Sequence, residues 1–326
     1  MRITNGMMIG NYLKNLYGNL SRMNKYQTQL ATNSRITRLS DDPVGVYKSL
    51  TARQRLASYE QYQRNLITAR NWSEQCESTL QELSSKMASI KSEVVNAAST
   101  GIKNDGDRQN IAVLMSELRD TVKDALNTVV GDQYIFAGYN TSNQPLTFAK
   151  DADGNDTDTI LYNGLDLSNI TDAANKAAIE KEQSQSISLE VGYSLQMDIS
   201  MTAIDVVGVG DNNFFKTMND IIGLMNSDSS TDDVAGELSG YLGKLDGAHE
   251  RITSCLVKAG AMTTQIDILD ERYSEDVINY NEIRSQIEDI DSAETIMDWK
   301  MAEAVYKQSL SAGARVIMPT LLDFLQ

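Results

Sequence analysis

From Leu238 onward one stripe of the chain advances by alternating steps of four and three residues. Leu238, Leu242, Leu245, His249, Ile252, Leu256, Ala259, Thr263, Ile266, Asp270, Tyr273, Val277 and Tyr280 all lie on it. A repeat of 3.5 residues holds one face of a helix against a partner, so the run reads as a coiled-coil seam. Beyond Tyr280 the phase moves to Ile283, Ile287, Ile290, Met297, Met301 and Ala304, as an inserted stutter would produce. Pro319 is expected to stop the helix, leaving Leu321, Leu322, Phe324 and Leu325 as an apolar tip. A helix of this length needs a long partner.

The first partner candidate is the N-terminal segment, where Ile9, Leu13, Leu16, Leu20, Met23, Gln27 and Leu30 keep the same rhythm. Gly10 and Gly18 interrupt it and weaken a helix standing alone, so the segment is expected to order only when packed. A linker from Thr32 to Pro43 follows, containing Arg35. Asp41 or Asp42 can cap the next helix, with Pro43 in its first turn where a missing N–H costs little. Helix two is expected over about 43–98, with Cys76, Leu80, Leu83, Met87, Ile90, Val94 and Ala97 on its stripe. Helix three is expected over about 108–130, with Ile111, Leu114, Leu118, Val122, Ala125 and Val129 on its own. The short turn around Gly101 and Gly106 makes these two an antiparallel hairpin.

The texture changes at Tyr134-Ile135-Phe136-Ala137-Gly138-Tyr139, an aromatic run of high β propensity. Short alternating segments at 159–162, 187–191 and 195–199 read as strands, with a helix near 172–183 and another over 214–225. The chain thus divides into an N-terminal assembly helix and linker (1–42), a long α-hairpin (43–133), a mostly β insertion (134–230) and a C-terminal helix (231–326). The fold class is mainly α: a long antiparallel helical bundle or coiled coil from both ends, with a small, mostly β inserted domain.

Chemistry-bearing patterns are scarce. Asp151, Asp153 and Asn155 imitate the start of an EF-hand loop, but Asp156 stands where that loop needs glycine and Tyr162 where it needs glutamate. An exposed acidic turn is the reading preferred to a calcium site. Cys76, Cys255 and the single histidine, His249, are too scattered for structural zinc. The two cysteines read as small apolar fillers, and spacing leaves open whether they pair. No catalytic, cofactor or metal residues are assigned, and the chain is read as no enzyme. A net charge of -16 argues against nucleic acid and against an anionic membrane surface. No apolar core of a secretory signal follows Met1 and Arg2, so a cytosolic location or a different export route is expected.

Several motifs in order carry a family resemblance. Met1-Arg2-Ile3-Thr4, Leu30-Ala31-Thr32-Asn33-Ser34-Arg35-Ile36, Ser40-Asp41-Asp42-Pro43-Val44-Gly45 and the C-terminal heptads resemble the flagellin superfamily. Tyr134 to Tyr139 with Gln144-Pro145, Tyr306-Lys307-Gln308-Ser309-Leu310 and the ending Pro319 to Leu325 resemble its hook-associated protein 3 branch. Asn33 stands where the family commonly has glycine, and asparagine tolerates a left-handed turn. The resemblance implies a structural protein of the hook–filament junction, exported by the flagellar type III route to the extracellular flagellum. Its terminal helices would pair on assembly into a tubular homo-oligomer. The implied partners are copies of itself, a neighbouring hook-associated protein, flagellin and an export chaperone on the C-terminal region. The expected assembly surface is Ile9, Leu13, Leu16, Leu20, Met23 and Leu30 with the C-terminal stripe from Ile283 to Leu325, the linker being held by Arg35, Asp41, Asp42 and Pro43. The rival readings are a filament flagellin and a secreted coiled-coil effector or adhesin.

Overall fold

A computed structural model describes residues 5–99, 105–151, 156–227 and 231–317. In chain order the elements are α1 (Asn5–Thr32), α2 (Pro43–Ser99), α3 (Asp105–Leu126), β1 (Val129–Val130), β2 (Gln133–Tyr134), β3 (Leu146–Lys150), β4 (Asp156–Tyr162) and β5 (Leu165–Asp166). They continue with α4 (Ala173–Ser184), β6 (Ser188–Gly192), β7 (Leu195–Asp198), α5 (Ala203–Val207), α6 (Phe214–Met225), α7 (Thr231–Glu288) and α8 (Ser292–Ile317). The fold is mainly α, with three small antiparallel sheets among the described residues: β1–β2, β3–β4–β5 and β6–β7. The chain forms two compact units, residues 61–273 and residues 1–60 with 274–326.

The unit of residues 61–273 has a conventional core. Leu66, Ala69, Ser73, Cys76, Leu80, Leu83, Met87, Ile90, Val94 and Ala97 are buried on α2 at strict three-four spacing. They meet α7 running antiparallel. The register is set by the Ser73 hydroxyl donating to the Ala259 carbonyl at 3.1 Å, by Arg70 against Asp267 at 3.0 Å, and by the Lys91–Asp246 ion pair. On α7 the buried positions include Ala248, Cys255 and Leu269, one residue earlier than His249, Leu256 and Asp270 of the expected stripe. Both cysteines are free and buried.

Helix α3 turns a different face inward from the one its large apolar residues suggest. Ala112, Met115, Val122 and Leu126 are buried together with Arg108 and Arg119, whereas Leu114 is exposed. Arg119 is tolerated there because its guanidinium bonds Asp158 at 3.0 Å and Asn219 at 2.8 Å and lies over the Phe148 ring. The helix also stops short of the expected end. The Asn127 side chain bonds both the N–H and the carbonyl of Leu146, and Val129 belongs to β1, paired with Tyr134. Local side-chain bonding by asparagine and a run of β-branched residues outcompete further helix.

The insertion contains strands at the expected 159–162, 187–191 and 195–199, and β1, β3, β5 and the short α5 are additions. Ile135, Phe136 and Ala137 are fully buried, and Ala137 bridges to Thr202, so the aromatic run is a core plug more than a strand. The β6–β7 hairpin is tied to the helices by the Tyr273 hydroxyl donating to the Val191 carbonyl and by Asn65 donating to Glu190 at 2.6 Å. The acidic turn 152–155 and the tip 318–326 lie outside the described residues. The C-terminal run is two helices where one was expected. It breaks at 289–291, where Asp291 accepts from the N–H groups of Ala293 and Glu294 and caps α8.

Candidate assembly interface

Among the described residues, no helix is long and apolar enough to cross a membrane, and no group of three or more His, Cys, Asp or Glu could hold a metal ion. The unusual region is the unit of residues 1–60 and 274–326. Of the 46 apolar residues buried among the described residues, only Ala52 and Leu56 belong to it. Among the described residues fifteen large apolar side chains stand exposed on it, more than on the larger unit. A domain-sized stretch without a core cannot offset its ordering entropy by its own packing.

Helix α1 packs on α8, antiparallel. The Tyr12 hydroxyl donates to the Ser309 carbonyl and the Asn19 amide donates to the Ser309 hydroxyl, both at 2.9 Å. Tyr12, Leu16, Asn19, Met23, Tyr26 and Leu30 form the half-buried column of α1, at four-three spacing. On α8 the matching column is Thr295, Trp299, Ala302, Tyr306, Ser309 and Gly313. The close approach depends on Gly313, where a Cβ would overlap the Tyr12 ring. The indole N–H of Trp299 is buried there without an acceptor.

This intramolecular seam leaves much of the expected apolar surface outside. Ile9, Leu16, Leu20, Met23, Leu30, Ile287 and Ile290 are half-buried. Leu13, Ile283 and Ala304 are exposed, Met297 is 62% exposed and Met301 63%. Leu321, Leu322, Phe324 and Leu325 lie outside the described residues. On α8 the inward column therefore sets small and polar residues between Trp299 and Tyr306, and the aliphatic Ile296, Met297 and Leu310 stay exposed. A count of large apolar residues locates the outward face and misses Tyr12, Tyr26 and the Ala302–Ser309–Gly313 column.

The linker is more tightly organised than its composition suggests. Asn33 takes the left-handed conformation at φ 51°, as anticipated for asparagine in that place. Ser34 then bridges to Asp289, and the Arg35 N–H donates to the Glu288 carbonyl at 2.6 Å. Buried Gln29 donates to the Arg35 carbonyl at 2.6 Å. Asp42 caps α2 by accepting from the Gly45 N–H at 2.9 Å, with Pro43 in the first turn. Asp41 serves the linker instead, accepting from the Thr37 hydroxyl, from the Arg38 N–H at 3.0 Å and from Lys25 at 3.3 Å. Burial pushes its carboxyl up, but the bonds from Thr37, Lys25 and Arg38 outweigh this and hold it below the ordinary value. Arg35 reaches Asp42 at 3.9 Å. The centre of the arrangement is Glu288, a residue the stripe patterns pass over. It takes both arms of Arg53 and the hydroxyl of Ser49, and the Arg53 hydrogen bonds hold its carboxyl below the usual carboxylate range.

Residues 3–141 match the family model of the bacterial flagellin N-terminal helical region. Flagellar hook-associated protein 3 of Escherichia coli strain K12 is 22% identical over 327 residues, covering 96% of each chain. The protein of that name from Salmonella typhimurium is 28% identical over 151 residues, 45% of this chain and 46% of its own. Among solved structures, a putative flagellar hook-associated protein from Vibrio parahaemolyticus aligns at a TM-score of 0.61 and 19% identity, over 76% of this chain and all of that one. The chain is thus similar over nearly its whole length to a flagellar hook-associated protein 3, and its residues 3–141 match the flagellin N-terminal helical region.

Proposed function

We propose that the chain is a structural protein of the bacterial flagellum that forms the junction between hook and filament and serves as the platform on which flagellin polymerises. The observation that carries this reading is the coreless unit: among its described residues, two buried apolar ones against fifteen exposed large ones. Each exposed side chain contributes up to about 1.5–3 kcal/mol once covered, so neighbouring subunits can supply the core the single chain lacks. The surface to be covered comprises Leu13 and Leu20 on α1 with Ile283, Met297, Met301 and the stripe toward the C-terminus. The occupants are copies of this chain in a tubular layer, a neighbouring hook-associated protein on one side and flagellin on the other. Relatives named flagellar hook-associated protein 3 support the location in the flagellum. An extracellular position, reached by the flagellar export channel with a chaperone over the C-terminal stripe, follows from the same reading.

The test is electron microscopy of cells lacking the chain. Bare hooks, with filament protein released into the medium, are the expected result. Filaments of normal length on those cells would contradict the proposal.

A further inference from the structure

Charge is segregated within the coreless unit. Residues 1–40 hold six Arg or Lys and no Asp or Glu, in a chain of net charge -16. Residues 274–303 hold nine Asp or Glu against Arg284 and Lys300. A groove of about 470 Å³ runs between α1 and the linker, with Tyr17 and Leu20 as its apolar wall and Arg22, Lys25 and Arg38 as its cations. Its one carboxylate, Asp41, is already held by Lys25 and Thr37. Among the described residues Arg22 meets only the Asn19 side chain, and no ion pair engages Arg38. On α8, Met297, Met301 and Val305 form an exposed apolar ridge, of which Met301 and Val305 also border Asn19, Arg22 and Tyr26 of α1, and Glu294 and Asp298 edge it without an ion pair among the described residues. Residues three and four apart share a helix face, which places these acids beside that ridge.

We propose that the α1–linker groove receives the exposed ridge of α8 from a second copy of this chain, with Arg22 and Arg38 meeting Glu294 and Asp298 of that copy. The inference rests on the self-assembly reading above and gives it a geometry. Groove and ridge are different surfaces, so the contact is head-to-tail, the class that generates rings or helical tubes by repetition. Opposite charges steer the encounter and set the register, while the methionines fill the apolar wall. Met is suited to this because its flexible thioether adapts to an irregular groove. Asp298 also lies across a smaller groove from Arg22 of its own chain without an ion pair, so the experiment must separate contacts between copies from contacts within one.

Two variants do so: Arg22→Glu with Arg38→Glu, and Glu294→Lys with Asp298→Lys. Self-association of the full chain is followed by sedimentation velocity at about 50 mM and about 500 mM NaCl, a range over which exposed charges become screened. The unaltered chain should associate more weakly at high salt. Each variant alone should need about tenfold more protein to associate at low salt. Mixed in equal amounts they should recover, because each groove then meets a ridge of opposite charge on the other variant. Variants that associate like the unaltered chain overturn the inference and leave the assembly reading standing. Weakened variants that stay weakened when mixed also overturn it, since the charges would then act within one chain or toward another protein. An unaltered chain that never associates at either salt overturns both.

Discussion

Arg53 on α2 holds Glu288 at the end of α7 in a two-pronged grip, Nε to Oε1 at 2.8 Å and Nη2 to Oε2 at 2.7 Å. The same glutamate offers its backbone carbonyl to Arg35, so one residue ties the linker, the start of α2 and the α7–α8 break together. Glu288→Ala is expected to cost roughly 1–2 kcal/mol locally, the lower part of the range for charged hydrogen bonds because Arg53 is largely exposed. Amide exchange should quicken in residues 33–43 and at 289–291. Cys76 to Ala97, in the other unit, should keep its protection.

The same carboxylates give the linker a pH dependence of known sign. Glu288 and Asp41 are both held below their ordinary values in the folded chain. Their contribution is complete above the ordinary carboxylate range of about 4–4.5 and declines as pH falls through the depressed values. Exchange in residues 33–43 should therefore change little between neutral pH and about 5, after correction for intrinsic rates, and rise below about 4. A loss of protection between pH 8 and 6 would contradict the assignment.

Gly313 presents a case where the usual rule for glycine reverses. Alanine in a helix interior is ordinarily better than glycine by roughly 0.5–1 kcal/mol. Here a Cβ would overlap the Tyr12 ring, so Gly313→Ala should weaken the α1–α8 pairing. Adding Tyr12→Ala should recover part of the loss, a coupling measurable by a double-mutant cycle on α1 exchange rates.

Cys76 and Cys255 should be inert to thiol reagents in the native chain. Burial pushes the Cys76 thiol up to about 12 and the Cys255 thiol up to about 11. Neither should react at neutral pH without denaturant, and both should react promptly once residues 61–273 unfold. Fast native labelling of either would show that the α2–α7 seam opens.

The parts of the fold legible in the sequence are those where one pattern had no competitor. The α2 column from Cys76 to Ala97 is buried at each expected position, and α6 spans Phe214–Met225 as its apolar face suggests. Asn33 in its left-handed turn and Asp42 at the head of α2 follow from single-residue chemistry. What periodicity could not resolve was which of two adjacent columns a neighbour covers. On α3 the covered column carries Met115 and Arg119 where Leu114 and Leu118 were expected, and Asp158 and Asn219 arrive from elsewhere in the chain to satisfy Arg119. On α8 the covered column runs from Thr295 through Trp299, Ala302, Tyr306 and Ser309 to Gly313, mostly small or polar residues that a scale rewarding large aliphatic side chains passes over. The break at 289–291 did leave a signal, Asp291 three residues before Glu294, but a long heptad run masked it.

Amide hydrogen exchange of α1 and α8 in a dilute single copy and in the assembled state tests the central claim most directly. Because the unit that holds them buries almost no apolar side chains of its own, exchange there should be fast in the single copy, while Leu66 to Ala97 of α2 stays protected. Assembly should slow α1 and α8 to the rates of α2. A single copy whose α1 and α8 already exchange as slowly as the middle of α2 would contradict the account.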